Sequence, residues 1–123
     1  MAANEDRLNV LGESLHLCCG APATGFYRDG YCRASAPDAG THTVCSIVTQ
    51  QFLTFSREHG NDLQTPRPEF NFPGLKEGDR WCLCATRWKE ALQAGVAPPV
   101  DLAATDERTL RYVDLDELKA HAY

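Results

Sequence analysis

No stretch of this sequence stays apolar over the roughly 18 to 20 residues that a membrane-crossing helix requires. Basic runs are missing too: twelve Lys and Arg lie scattered among seventeen Asp and Glu, for a formal net charge of -5. A nucleic-acid-binding surface needs clustered positive charge, so neither nucleic acid nor membrane is expected as a partner. There is no repeat of solenoid period and no low-complexity segment. G-x-S-x-G, the P-loop and G-x-G-x-x-G are all absent, which removes the common hydrolase and nucleotide readings. C-x-x-C is absent as well, and with it the spacing of dithiol redox motifs and of most structural zinc sites. The opening "MAANEDRLNVLG" is polar and acidic, whereas a secretory leader starts basic and turns apolar. The expected setting is therefore the cytoplasm, where thiols are kept reduced.

What is present fits one ordinary globular domain. The chain has 123 residues, 43% hydrophobic and 24% charged, enough to bury a core. Residues 1 to 7 read as a flexible arm and 8 to 123 as a single domain. "LNVLG" suits a short strand closing on Gly12. "TGFYRDGYCR" (24 to 33) suits a β-hairpin turning at Asp29-Gly30, a pair that tolerates positive φ. In "HTVCSIVTQQFLTFSREHGN", Val44, Cys45, Ile47 and Val48 suit a strand. Thr49 caps a following helix, and Gly60 stops it. His59, on the stripe of Phe52 and Phe55, is a helix-end residue rather than a ligand. Residues 61 to 79 hold Pro66, Pro68 and Pro73 and form an irregular loop, anchored by Phe70, Phe72 and Leu75.

"GDRWCLCATRWKEALQAG" admits two structures. Either Asp79 caps one helix through Gly95, or residues 80 to 85 form a strand and Thr86 caps a shorter helix. The turn at Gly78-Asp79 favours strand then helix. The choice governs chemistry, because Cys82 and Cys84 share a face on a strand and diverge on a helix. "PPVDLAAT" suits a short edge strand and "TDERTL" a short helix. Asp114 with Glu117 forms a capping box before a last helix. The expected fold is α+β: a β-hairpin, short strands and three to four helices.

Six cysteines carry most of the chemical interest. Buried thiols acting as small hydrophobes are the simplest account of them. A zinc site would draw on His42, Cys45, Cys82 and Cys84, provided their two strands are neighbours. Reactive-thiol chemistry would draw on Cys84 or Cys45 as nucleophile, with His42 or Arg80 as helper. Cys84 precedes a helix start near Arg80 and Arg87, a setting that favours thiolate. Against His42 with Cys45, residues three apart lie on opposite faces of a regular strand. Arg28, Asp29, Asn61, Asp62, Asp79, Arg80 and Trp81 fall in or beside turns, where binding residues collect. For Asp29, Asn61, Asp62 and Asp79, local hydrogen bonding within the turn is the plainer explanation.

"TGFYRDGYC", "HTVC", "GNDLQTPRPEFNFPGLKEGDRWCLCATRWKEAL" and "AGVAPPV" together resemble a family of small, mainly bacterial proteins known as domain of unknown function 2237. The resemblance runs from about Asn9 to the end of the chain. It implies a stand-alone cytoplasmic domain and no assigned activity. Cys18, Cys32, His42, Cys45, Cys82 and Cys84 match the family pattern, as do Arg28-Asp29, Asn61-Asp62 and Asp79-Arg80. Tyr31 departs from it, standing where the pattern has a second cysteine beside Cys32, and this weakens a metal role. Cys19 is peripheral to the pattern.

The hairpin, central loop and Trp-Cys segment are expected to converge on one cleft lined by Cys, His, Trp and Arg. The function that follows is a thiol-dependent or small-molecule-binding protein. The alternative is a binding or interaction domain with structural buried cysteines, zinc-stabilised if the metal set closes. A partner subunit would instead show an apolar outer face along the loop from Phe70 to Leu75.

Overall fold

β-branched and cysteine side chains at Val44, Cys45 and Ile47 suit a strand buried on both faces. In a computed structural model describing residues 7–18, 30–34, 41–70 and 72–123, β1 spans His42–Ile47. It pairs antiparallel with β2, Arg80–Cys84, so that Cys45 stands opposite Cys82 and His42 opposite Cys84. A register irregularity between His42 and Val44 marks a bulge. Helix α1 covers Gln50–Glu58, α2 Ala85–Gln93 and α3 Leu115–Lys119. Short 3-10 turns lie at Pro68–Phe70, Leu102–Ala104 and Glu107–Arg111. This is a small α+β domain. Among the described residues no helix is long and apolar enough to cross a membrane.

Period-two alternation on β2 divides the molecule. Trp81 and Leu83 turn to one face, where they join Val44, Phe52, Leu53, Trp88, Ala91, Val100, Val113 and Leu118 in the main core. Trp88 is fully buried and its indole N–H donates to the Pro98 carbonyl at 3.0 Å, so its one polar atom is satisfied. Cys82, between Trp81 and Leu83, belongs to a second cluster with Cys18, Cys32, Cys45 and Ala104.

The signals at the ends of α1 and α3 act as read. Thr49 Oγ1 accepts the Phe52 N–H at 3.1 Å, and Gly60 takes φ 87° just past the helix. The Asp114–Glu117 capping box closes α3 in both directions. Strand then helix also holds for residues 80 to 93.

Three expectations need correction. Thr86 does not cap α2: the cap position is Cys84, and the Ala85 N–H goes to the Thr41 carbonyl at 3.0 Å. "PPVDLAAT" is no strand, since Val100 makes only isolated bridges to Ser46 and Ala122 before the 3-10 turn. Pro98 and Pro99 have no N–H with which to extend a ladder. "LNVLG" is a tight turn: Asn9 Oδ1 accepts from the N–H groups of Leu11 and Glu13, leaving single bridges from Leu8 to Ser14 and Asn9 to Asp106. Most of the expected hairpin, with Arg28 and Asp29, lies outside the described residues.

Residues 61 to 70 and 72 to 79 are irregular apart from one 3-10 turn. Phe72 and Leu75 turn inward and are buried, while the Phe70 side chain lies outside what the structure describes.

Candidate functional site

Four cysteines from four chain segments meet on the second face of the ladder. Cys45 and Cys82 are presented side by side by β1 and β2. Cys18 arrives on a segment fixed by backbone bonds from Leu15 to Arg7, His16 to Ala103 and Cys18 to Gly30. Cys32 arrives beside Thr105, with which it forms a parallel bridge. Cys18 is disulfide-bonded to Cys45, and Cys32 to Cys82. The expectation of free buried thiols is therefore corrected at these four positions. The sulfurs of Cys18, Cys32 and Cys82 all lie within 4.8 Å of one another, and all four residues are at most 4% exposed.

The walls of this centre are polar but satisfied. Thr105 Oγ1 accepts the Cys45 N–H at 3.1 Å and donates to the Asp101 carbonyl at 2.9 Å. The Asp101 N–H returns to the Cys45 carbonyl at 2.9 Å. Next in sequence, the Asp106 carboxylate is fully buried and accepts from four donors. These are Arg7 Nε at 2.9 Å, Arg7 Nη2, and the backbone N–H groups of Ala34 and Arg108, each at 2.9 Å. The Arg7 guanidinium is held above its usual pKa, first by its hydrogen bond to Asp106. Asp106 thus pins the segments that lead to Cys18 and Cys32 against the segment carrying Thr105.

On the solvent side stands Arg80, on the same β2 face as Cys82. Its Nη1 lies 2.8 Å from Asp101 Oδ2 and 3.9 Å from Cys45 Sγ, within reach of a weak bond to sulfur. Its guanidinium also sits 5.4 Å from the ring centre of Tyr123, in cation–π range.

The expected site residues are thus distributed unevenly. Arg80 meets Cys45, and His42 stands opposite Cys84 at the other end of the ladder. Cys84, half-buried and outside the disulfides, has its sulfur 3.1 Å from Thr86 Oγ1. Of the proposed zinc ligands His42, Cys45, Cys82 and Cys84, only Cys82 belongs to the close sulfur triplet. Asp62 accepts from the Gln64 and Thr65 N–H groups and the Thr65 hydroxyl, and these bonds, the hydroxyl foremost, hold its pKa below the ordinary carboxylate value. Asp79 accepts the Lys76 N–H at 3.0 Å; the Asn61 N–H donates to the Ser56 carbonyl at 2.9 Å, and the Asn61 carbonyl accepts the Ser56 hydroxyl at 2.7 Å, closing α1. Trp81 is buried in the core, edge-on to Phe72. Their local structural roles are thereby accounted for. Cys18 and Cys32, matched earlier only through the family pattern, prove to be the partners of the strand cysteines.

Fold and site together define a small α+β domain built around a buried four-cysteine centre. The chain belongs to the family described as uncharacterized protein conserved in bacteria, DUF2237, whose pattern matches residues 8–122. No curated protein matches it. A metal is within the chemical reach of this centre, since the buried Cys18, Cys32 and Cys82 sulfurs are close enough to act as ligands.

Proposed function

We propose that this protein is a thiol-based binding domain, residues 8 to 123 following a short arm, whose four-cysteine centre takes a zinc ion when its sulfurs are reduced. The observation that carries this reading is the gathering of three buried sulfurs within 4.8 Å, with the fourth bonded to one of them. Zinc–sulfur bonds of about 2.3 Å in a tetrahedron set sulfurs about 3.8 Å apart, so the centre is close to the required size. Four soft thiolates suit zinc and not the hard oxygen-seeking cations. Burial also argues for a closed structural site, since turnover would need an open coordination position. In a cytoplasmic setting, where disulfides are reduced, zinc would replace both sulfur–sulfur bonds as the tie between segments.

The test is metal and thiol content of protein purified under reductant without chelator. One zinc per chain, lost with Cys32→Ser and retained with Cys84→Ser, is the expected result. A metal-free, fully folded chain under the same conditions sinks the reading.

A second reading, thiol-dependent chemistry on a small-molecule ligand, is favoured by one observation: Cys84 opens α2 with Thr86 Oγ1 at 3.1 Å and His42 opposite. On this reading Cys84 alkylates faster in the folded protein than in urea, and His42→Asn slows it. Equal rates in both states would remove Cys84 as a nucleophile.

A further inference from the structure

Asp106 faces both chain segments that carry cysteines to the strands. Its Oδ2 accepts from Arg7 Nε at 2.9 Å and from the Ala34 N–H at 2.9 Å. Arg7 holds the chain leading to Cys18, since its carbonyl accepts the Leu15 N–H at 3.1 Å. Ala34 lies two residues past Cys32. On its backbone side, Asp106 donates its own N–H to the Thr43 carbonyl of β1 at 3.0 Å. One fully buried residue therefore fixes both incoming segments against the ladder.

The nearness of the sulfurs does not by itself decide how they pair. Opposite residues of antiparallel strands are separated by about 4.5 to 5.5 Å, a span that a disulfide also bridges, and Cys45 and Cys82 are such a pair. The Cys18 and Cys32 sulfurs lie within 4.8 Å, and the Cys18 N–H donates to the Gly30 carbonyl at 2.7 Å, so the two incoming segments also hold each other. Left to these contacts, Cys18 closes on Cys32 and Cys45 on Cys82. The pairing found is a different one, Cys18 with Cys45 and Cys32 with Cys82. We infer that Asp106 is the positioning residue that selects this pairing, by docking both segments on the ladder before their sulfurs bond. Once docked, sulfurs on residues at most 4% exposed are closed to reshuffling. The inference deepens the proposed four-cysteine centre and rests on its sulfurs, but not on zinc.

The experiment refolds the reduced full chain, with chelator, in a glutathione redox buffer and maps the disulfides by tandem mass spectrometry of its peptides. Each bond converts two cysteine thiols and one oxidised glutathione into one protein disulfide and two reduced glutathiones, so both pairings consume the same oxidant. The unaltered chain should close Cys18–Cys45 and Cys32–Cys82. Asp106→Asn should lower the ratio of this pairing to the Cys18–Cys32, Cys45–Cys82 isomer about tenfold or more, as expected from weakening hydrogen bonds to a buried charge. Arg7→Gln, at a residue only a quarter exposed, should enrich the same isomer. Leu118→Ala truncates the main core and destabilises the fold, yet should leave the ratio within twofold. That contrast separates the choice of partners from general support of the fold. An unchanged ratio in Asp106→Asn or Arg7→Gln, a different dominant isomer, or equal scrambling in Leu118→Ala would each overturn the inference. Chelator is present throughout, so this result is independent of zinc content under reductant, and either reading can fail alone.

Discussion

Trp81 and Leu83 turn from β2 into a core shared with both long helices, whereas Cys82 between them turns into a cluster of sulfurs. One face of the ladder is thus held by apolar area. The other is held by covalent bonds that bring in Cys18 and Cys32 from segments with little regular structure of their own. Area-driven packing is indifferent to redox state, while the two sulfur–sulfur ties depend on it. The same strand therefore carries a permanent wall and a conditional one.

Truncating the permanent wall should hurt most. Trp88→Ala removes a fully enclosed indole and its bond to Pro98, and should lower unfolding free energy by about 3 to 5 kcal/mol in urea titrations. The loss should be equal with and without reductant; a reductant-dependent loss would mean that the two faces are coupled. Removing either disulfide by paired Cys→Ala changes should follow, at about 2 to 4 kcal/mol under oxidising conditions. The Cys32–Cys82 pair should have the larger effect, because it spans 50 residues against 27 for Cys18–Cys45. Under chelator and reductant the difference from the unaltered chain should vanish.

Local features complete the comparison from the helix side. Thr49→Ala removes the α1 cap and should lower stability by about 1 kcal/mol in either redox state. Asp62→Asn should have the weakest effect, being a partly exposed turn residue, but a diagnostic pH dependence. Its native pKa lies below the ordinary 3.8, so its contribution is present above that value and disappears as pH falls through the lower native pKa. The stability gap between Asp62→Asn and the unaltered chain should thus be open at pH 7 and close in strong acid. A gap that widens on acidification would contradict the hydrogen bonds from Thr65 and Gln64.

Features decided within a few residues were legible in the sequence. Thr49, Gly60 and the Asp114–Glu117 pair mark helix ends through bonds made in the first or last turn, and they act as their types require. Strand then helix at 80 to 93 was legible from turn chemistry, although the cap fell on Cys84 because the Thr41 carbonyl, distant in sequence, takes the Ala85 N–H. The cysteine partners were not legible. Cys18 and Cys32 lie outside strands and helices, and nothing in their neighbourhood encodes an approach to β1 and β2. The tie that brings those segments in, Arg7 to Asp106, crosses 99 positions and leaves no periodic trace. Cys82 and Cys84 looked like a pair by spacing, yet Cys84 ends the strand and opens the helix, where its sulfur meets Thr86.

The order of the bonded cysteines along the chain, 18, 32, 45 and 82, interleaves the two disulfides rather than nesting one inside the other. Any single proteolytic cut between Cys18 and Cys82 therefore leaves the two fragments tethered by at least one bond. A cut between Cys32 and Cys45 leaves them tethered by both. On a denaturing gel the nicked oxidised protein should run as one species and fall into two only when reductant is added. The same protein carrying zinc in place of its disulfides would separate at once, so a single nick distinguishes the two states of the centre.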